Sequence, residues 1–291
     1  IVKLNCRIDI KNIADDTAIA AYLVDPAKNE YTIEKLASEY FGTVIEKPEV
    51  KQLSLLDDVE TDRSEYLAKC AVALGVLNER IGDKIKENGQ EKLYQEVELP
   101  LVTVLAHLEI NGFLVDDNQL KEFADKLGEK IDALTNEIYM LAGEEFNINS
   151  PKQLGVILFE KLELKPVKKT KTGYATNADV LEKLRDKHPI VNFIMEYRQL
   201  AKLKSTYCDG LRAVVNPNTH RIHSVFTQTV TVTGRLSSTE PNLQNIPTRT
   251  ELGREIRKMF VAKEGYVLVD ADYSQIELRV LAHIANDETM I

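Results

Sequence analysis

The stretch DADYSQIELRVLAH, from Asp270 to His283, sets two carboxylates in an apolar background. Side chains alternate along an extended chain, so a strand over 265–273 would place Asp270 and Asp272 on one face. Two carboxylates at the end of a strand offer the hard oxygen ligands that Mg²⁺ prefers. Alternatively, one Asp caps the following helix and the other is simply exposed at the edge of the sheet, and no metal is bound. The local pattern leaves both interpretations open.

The residues that follow, SQIE, predict a helix that starts near Ser274. Ser274 and Glu277 have the spacing of a capping box, in which each side chain bonds the backbone N–H of the other. A helix N-terminus next to a carboxylate also presents free N–H groups to a phosphate. The pattern is therefore compatible with a simple cap or with one part of a triphosphate site. The sequence contains no P-loop and no G-x-G-x-x-G motif, which excludes those nucleotide-binding folds.

The segment TGRLSSTEPNLQNIP, residues 233–247, is rich in hydrogen-bonding side chains and poor in apolar ones. Such a segment suits phosphates and base edges better than a core. The minor groove presents acceptors at every base pair, so Arg235 with Gln244 and Asn245 would bind DNA of any sequence. An ordinary polar surface loop is the alternative.

A second basic feature is the helix-like stretch EYRQLAKLKSTY, residues 196–207. Arg198 and Lys202 are one helical turn apart, so they share a face. A face of this kind is usually only solvated. Together with the basic loop KKTK, residues 168–171, and with Arg235, it would form a surface that follows a DNA backbone.

Charge is distributed unevenly along the 291 residues, whose net charge is −9. Residues 161–258 hold 18 Lys and Arg against 9 Asp and Glu, whereas residues 1–160 hold 17 against 31. A basic centre between acidic flanks is typical of a polyanion-binding surface. A solvated surface with uneven charge gives the same pattern.

The three cysteines are far apart in the sequence, and their spacing is typical neither of a disulfide framework nor of a zinc site. We therefore expect them to be reduced thiols.

Most of the chain is predicted to be helical. Caps predict helices after Asp16 and Thr32, and Ser150-Pro151 starts another. Asp116 and Asp117 predict the start of a further helix over 117–142. This helix and residues 90–111, which have a kink at Pro100, are expected to pack on each other as an antiparallel hairpin. A charged loop is predicted over 46–62, a long helix over 188–215, β-branched strands from 221 and a short helix over 251–259.

The ends of the sequence carry neither an initiator Met nor a signal peptide, and we expect a piece of a longer protein. No apolar run approaches the roughly 20 residues that span a bilayer. The length and the mixture of elements predict an α+β, multi-domain chain.

TGRLSSTEPNLQNIP followed by DYSQIELR resembles the family A DNA polymerases, the family of bacterial DNA polymerase I. The similarity extends through FNINSPKQLG, TKTGYAT and EYRQLAKLKSTY. It implies three parts. Residues 1–88 would be the C-terminal part of a ribonuclease-H-like 3′–5′ exonuclease-type domain, 89–215 a helical thumb, and 216–291 the N-terminal part of the polymerase palm.

The resemblance also implies roles for individual residues. Asp272, rather than Asp270, would be the first catalytic carboxylate and would bind Mg²⁺ together with the backbone carbonyl of Tyr273. Glu277 would exclude a ribose 2′-OH. The implied nucleotide-binding residues are Ser274, Gln275, Ile276 and Glu277. The implied DNA-binding residues are Arg198, Lys202, Lys204, Ser205, Thr206, Arg235, Asn242, Gln244 and Asn245.

Two departures from the family pattern bear on activity. The family's H-D-E motif, which supplies the second carboxylate of the two-metal site, and its fingers motif do not occur in residues 1–291. We therefore expect this chain to bind primer–template without extending it. In the exonuclease-like part, Cys70 in YLAKC stands where a metal-binding Asp is expected. A thiol is a poor ligand for Mg²⁺, so that domain is expected to be inactive.

The implied reaction is transfer of a nucleotide from a dNTP to a primer 3′-OH, in replication and repair. A non-catalytic DNA-binding module remains an alternative. A third function, that of a nuclease, is disfavoured because Cys70 replaces an expected metal ligand. The expected partners are primer–template DNA and dNTP, without a membrane. We expect a monomer in the bacterial cytoplasm, at the nucleoid.

Overall fold

The computed structural model describes residues 12–48, 59–167, 169–170, 173–248 and 250–291. Most of them are helical, and three short two-stranded antiparallel sheets lie between the helices. The N-terminal helices are α1 (Thr17–Val24), α2 (Ile33–Phe41), α3 (Val59–Glu87) and α4, which joins Glu91–Leu93, Tyr94–Glu98 and Leu99–Asn111. The following elements are β1 (Phe113–Leu114), α5 (Asp117–Ala142), α6 (Pro151–Val156 with Ile157–Lys161), β2 (Lys169–Thr170), β3 (Gly173–Tyr174) and α7 (Ala178–Leu184).

The C-terminal half begins with a long helix and continues with short elements. Helix α8 joins Pro189–Leu203, Lys204–Asp209 and Gly210–Val214. After it come β4 (Arg221–Ile222), β5 (Val225–Thr227), β6 (Ser237–Thr239), α9 (Glu251–Lys258) and α10 (Ile276–Ala285). This mixture of helix and sheet agrees with the predicted α+β class. The predicted helices over 188–215 and 251–259 are confirmed by α8 and α9.

The predicted helix starts are confirmed, and all but one have a side-chain cap; α2 begins directly after Thr32, whose side chain makes no capping hydrogen bond. The Asp16 carboxylate accepts hydrogen bonds from the N–H groups of Ala18 and Ile19 at the start of α1. Ser150 caps α6 directly before a proline at the first helical position, and Asp116 caps α5. These side chains satisfy N–H groups that have no partner within the helix.

The disturbance predicted at Pro100 takes the form of a π-helical turn. Proline has no backbone N–H, so it cannot continue the regular hydrogen-bond ladder of an α-helix. The structure widens the preceding turn, Tyr94–Glu98, into a π-helix before α-helical geometry resumes at Leu99. Helix α4 is therefore continuous through the proline.

The predicted hairpin of two mutually packed helices is wrong. Helix α5 packs mainly against α8 rather than against α4. Two buried clusters lie along this pair. One joins the C-terminal end of α5 to α6, α7 and the first turns of α8. The other joins the N-terminal half of α5 to the end of α8, β4 and α9. The apolar stripe of α5 alone did not reveal which helix it covers.

A separate apolar cluster holds the N-terminal helices together. Helices α1 and α2 pack against α3, and Tyr94 and Leu99 of α4 join the α1 side of this cluster. The predicted loop over 46–62 is correct at 46–48, whereas α3 already begins at Val59. Residues 49–58 lie outside the described residues. So do Lys168 and Lys171 of the predicted KKTK loop, whose residues Lys169 and Thr170 form β2 and pair with β3.

The sheets are small and antiparallel. β1 pairs with β4, and β5 pairs with β6 in the register Val225 to Thr239, Phe226 to Ser238 and Thr227 to Ser237. Within the described ranges, no helix is both long enough and apolar enough to cross a membrane.

The predicted strand over 265–273 is wrong. Residues 265–273 lie outside every helix and strand of the described chain, and their side chains are exposed. A strand is stable only when a neighbouring strand takes up its backbone hydrogen bonds. Asp270 and Asp272 therefore lie on an unpaired segment rather than on one face of a sheet.

Candidate nucleic-acid and nucleotide site

Arg235 lies on the connection between β5 and β6. Gly234, directly before it, has φ +79°, a left-handed conformation that glycine adopts without strain. The Thr231 hydroxyl donates to the carbonyl oxygen of Arg235 at 2.7 Å, which closes the turn. The Arg235 side chain itself is 74% exposed. The connection thus presents one guanidinium to solvent on a backbone fixed by an internal hydrogen bond.

A buried hydroxyl network fixes the rest of the 233–247 segment. The Ser224 and Ser238 hydroxyl oxygens lie 2.8 Å apart, and the Ser224 hydroxyl donates to the Pro241 carbonyl at 2.6 Å. The Ser238 hydroxyl also accepts the Leu243 N–H at 3.1 Å. Buried hydroxyls need such partners. Within the described residues, every buried side-chain nitrogen and oxygen has a partner.

The amides predicted to face DNA differ in how far they are available. Gln244 donates to the Leu236 carbonyl at 2.9 Å and accepts from the Ser238 N–H at 3.3 Å. Its side chain is therefore engaged within the segment. Asn242 accepts the Gln244 N–H in a local turn. Asn245 is exposed, and its carbonyl accepts the hydroxyl of Tyr207, a residue in the π-helical turn of α8.

Glu277 forms an ion pair with Arg235, which is 42 positions away in the sequence. The Arg235 Nη2 lies 2.5 Å from the Glu277 Oε1, and both side chains are exposed. A hydrogen bond from its own backbone N–H, and then the Arg235 guanidinium, lower the pKa of the Glu277 carboxyl. The ion pair brings the two predicted motifs, 233–247 and 270–283, into contact.

The predicted capping box of Ser274 and Glu277 is wrong. Helix α10 begins at Ile276, and Gln275 before it has φ 54° and no capping side chain. Ser274 lies outside the helix. The carboxylate that would close the box binds Arg235 instead. An ion pair with a residue 42 positions away cannot be seen in a local pattern.

Asp270, Asp272 and Tyr273 are exposed on the segment that precedes α10. A carboxylate and a backbone carbonyl are the oxygen donors that Mg²⁺ takes, so the chemistry of this donor set fits the ion. Across the described ranges, no three His, Cys, Asp or Glu side chains come close enough to form a metal site. The binding of Mg²⁺ by Asp272 and Tyr273 stays a prediction.

The basic residues of α8 are not equivalent. The Arg198 guanidinium donates to the backbone carbonyls of Thr176 and Ile148, and burial lowers its pKa. Lys204 forms an ion pair with Asp209 at 2.8 Å. Lys202, Ser205 and Thr206 are exposed. Arg198 therefore joins elements of the protein, unlike Lys202, with which it was predicted to share a basic face, and the predicted contact of both residues with DNA stays a prediction.

Cys70 is buried in α3 and packs with Ala37, Ile45 and Ala73. Nearby, the Tyr66 hydroxyl donates to the Glu34 carboxylate at 2.6 Å. Hydrogen bonding to Glu34 and then to Cys70 raises the pKa of Tyr66. The lost-ligand interpretation of Cys70 stays a prediction.

Sequence reasoning missed the residues that hold the Arg235 connection in place. Glu98, Glu109 and Gln228 contribute side chains to these contacts, and Tyr22 contributes its hydroxyl. One signal was available, because Gln228 interrupts a β-branched stretch, SVFTQTVTV, with a polar side chain that the fold buries. Glu98 and Glu109 gave no comparable signal in the sequence, because glutamate is a common residue on the exposed faces of helices.

Comparison with known proteins identifies the family. Residues 117–291 match the family model "DNA polymerase family A". DNA polymerase I of Bacillus subtilis (strain 168) is 47% identical over 291 residues, which cover 98% of this chain and 33% of the relative. DNA polymerase I of Geobacillus stearothermophilus is also 47% identical, over 288 residues, 98% of this chain and 33% of the relative.

A solved structure agrees with the sequence comparison. The POL domain of Pol1 from M. smegmatis, in complex with DNA primer-template and dNTP, superposes with a TM-score of 0.79 and 38% identity. The match covers 94% of this chain and 46% of that one. The chain belongs to the family A DNA polymerases. It spans about a third of the length of the curated relatives it matches.

Proposed function

We propose that this chain is the primer–template-binding part of a DNA-directed DNA polymerase. The observation that carries the proposal is the ion pair of Arg235 and Glu277, because it joins the motif expected to contact DNA to the motif expected to contact the dNTP. Similarity to DNA polymerase I, and to a POL domain solved with primer-template and dNTP, supports the same substrates.

Arg235 would bind the minor groove near the primer end. Its guanidinium is exposed and its backbone is fixed, so it can donate to base-edge acceptors without first ordering a flexible loop. Asn245 is a second exposed donor on the same segment. Gln244 would act indirectly, since its amide already holds the segment together. Lys202, Ser205 and Thr206 would contact the phosphate backbone, which carries no sequence information.

Asp272 and the Tyr273 carbonyl would hold Mg²⁺, which when bound would stabilise the attacking and leaving oxygens of nucleotidyl transfer. The chain's own residues would orient the substrates. The N–H groups at the start of α10, near Ser274 and Gln275, would face the dNTP phosphates. Glu277 would lie beside the sugar and exclude a 2′-OH.

We assign residues 89–215 to a thumb and residues 216–291 to the first part of a palm. The continuous packing of α5 on α6, α7 and α8 supports a helical thumb. Residues 1–88 would be the remnant of an exonuclease-type domain that lacks a ligand at Cys70. This assignment rests on the resemblance in sequence.

We further propose that the 291-residue chain binds primer–template without extending it. Asp272 would act as a catalytic carboxylate without a second one, because the described residues bring no pair of further acids beside it. The alternative is a DNA-binding module without any catalytic role in a longer protein.

A gel assay on an end-labelled primer–template tests both parts of this proposal. With Mg²⁺ and all four dNTPs, we expect a mobility shift under native conditions and an unchanged primer length after denaturation. Extension of the primer would contradict the proposed inactivity. The absence of a shift at any protein concentration that leaves the chain folded would contradict the DNA-binding function.

A polymerase chain that contains both this region and the H-D-E motif distinguishes a catalytic role of this region from the alternative, a DNA-binding module without a catalytic role. In such a chain, Asp272→Asn should abolish extension and preserve the mobility shift. Undiminished extension would contradict the catalytic role of Asp272 and favour the DNA-binding module.

A further inference from the structure

Two glutamates on one helix hold the arm that leads to Arg235. In α4, the Glu109 carboxylate accepts the Phe226 N–H at 2.8 Å. Glu98 accepts the Gln228 Nε2 twice, with its carboxylate at 2.7 Å and its backbone carbonyl at 3.1 Å. The two glutamates are eleven positions apart, which is about three helical turns, so they face the same side.

These contacts replace strand pairing along the free edge of β5. Phe226 stands opposite Ser238 of β6, but its N–H donates to Glu109. Gln228, just after β5, is buried with only 8% of its surface exposed. A buried amide without partners is unfavourable, so Glu98 is what allows Gln228 to enter the interior.

The chain of contacts continues to Arg235 itself. The Tyr22 hydroxyl, from α1, donates to the Thr231 carbonyl at 2.7 Å. The Thr231 hydroxyl in turn donates to the Arg235 carbonyl at 2.7 Å. The arm is thus attached to α4 at Phe226 and Gln228, to α1 at Thr231, and to the backbone of Arg235 at its tip.

We propose that Glu98 and Glu109 of α4, with Tyr22 of α1, are positioning residues for Arg235. They fix the arm 226–231, and this determines where the Arg235 guanidinium can meet a primer–template. The N-terminal helices then have a role in DNA binding without touching DNA. The proposal rests on the proposed function for its DNA-binding consequence, and the ion pair of Arg235 with Glu277 provides a measure of position that does not involve DNA.

An exchange of partners between positions 98 and 228 tests the proposal. Gln228→Glu would place a second carboxylate against that of Glu98, so the two like charges would repel each other and displace the arm. The double variant Glu98→Gln with Gln228→Glu restores one donor and one acceptor in reversed order. It is the matched control because it has the same composition and charge as the wild type.

Two readouts are measured on each variant. The first is the affinity for a fluorescent primer–template, where we expect Gln228→Glu to weaken binding about tenfold, the factor for one lost hydrogen bond to a charged group. The double variant should recover binding to within about twofold of the wild type. The second is the Glu277 carboxyl pKa without DNA, followed by NMR, which should rise in Gln228→Glu and fall back in the double variant.

The Arg235→Ala background distinguishes positioning from a general loss of structure. If Gln228→Glu acts through Arg235, it should weaken binding no further once Arg235 is absent. A loss that is the same in both backgrounds would overturn the proposal. So would a Glu277 pKa that stays at its wild-type value in Gln228→Glu.

Failure of the proposed function would leave a different pattern. In that case the Glu277 pKa would still follow the exchange of partners, but Arg235→Ala would bind primer–template as the wild type does. Tyr22→Phe provides a second test should Gln228→Glu fail to fold, since it removes only a hydroxyl. It should shift both readouts in the same direction by a smaller factor, and unchanged readouts would count against the proposal.

Discussion

The helical body around α5 and α8 differs from the C-terminal segment 264–291 in how far its apolar side chains are buried and in how its helices end. In the body, apolar side chains such as Leu158 and Ile194 are completely buried, and its first helix, α5, is capped at both ends. In the C-terminal segment, Val267 and Val269 are more than 80% exposed, and α10 has left-handed residues at both ends. The proposed catalytic carboxylate lies on the second region.

The difference shows what positions a site in this chain. The body owes its geometry to packing, which is specific and strong. The C-terminal segment is largely exposed, and one contact that it makes with the remainder is the ion pair of Arg235 with Glu277, on two exposed side chains. Exposed ion pairs contribute little to stability, so this contact orients groups rather than holding the fold together.

The largest expected effect is loss of packing in the body. Leu158→Ala removes a fully buried side chain from α6 and should lower the free energy of unfolding by about 2 to 5 kcal/mol. Ile284→Ala in α10 is the matched truncation at an exposed position, and we expect a change within about 0.5 kcal/mol. Urea denaturation measures both, and equal losses would mean that the two regions do not differ as described.

A pH-dependent loss should appear at Tyr94, between α4 and α1. Burial raises the pKa of Tyr94 to about 12 from an ordinary value of 10.0. The folded state thus holds this proton more tightly than the unfolded state, so the stabilisation is complete below pH 10 and is lost as the pH rises towards 12.

Comparison with Tyr94→Phe isolates this effect, because phenylalanine does not titrate. The stability advantage of the wild type over the variant should shrink by about 1 to 2 kcal/mol over that range, after a discount for solvent screening. Urea denaturation at several pH values measures the difference. An advantage that does not depend on pH would contradict the raised pKa.

A smaller effect is expected where the body meets the polar segment 233–247. Tyr207→Phe removes the hydroxyl that donates to the Asn245 carbonyl and should cost about 1 kcal/mol. Tyr266→Phe removes a hydroxyl from an exposed ring of the C-terminal segment and should leave the urea midpoint unchanged. If the two variants behave alike, Tyr207 does not anchor the segment.

The smallest effect on stability is expected at the ion pair. Glu277→Gln should change the free energy of unfolding by less than about 0.5 kcal/mol. The same variant should nevertheless shift the NMR signal of the Arg235 side-chain Nε–H, since the guanidinium loses a charged partner. An unshifted signal would mean that Arg235 does not contact Glu277 in solution.

What the sequence revealed was local. Asp16, Ser150 and Asp116 predicted helix starts because a cap acts within a few residues of its own position. The pair of motifs revealed the family for the same reason, since each motif is a continuous run of residues.

What the sequence concealed depends on contacts between distant residues. A stripe of apolar residues showed that α5 is buried on one side but not that α8 covers it. Alternation over 265–273 predicted a strand, but a strand needs a partner elsewhere in the chain. The local sequence around Glu277 favoured a helix cap, whereas in the structure Glu277 forms an ion pair with Arg235. Arg198 looked solvent-facing because its carbonyl partners are on other elements.

The most direct test of the account compares the binding of two primer–templates of equal length and unrelated sequence. Fluorescence anisotropy is measured for the wild type, for Arg235→Ala, and for Arg63→Ala as a control that removes an exposed arginine from α3. We expect Arg235→Ala to weaken binding about tenfold on both sequences, and Arg63→Ala to leave both affinities nearly unchanged. A loss confined to one sequence, or affinities that do not depend on Arg235, would contradict the account.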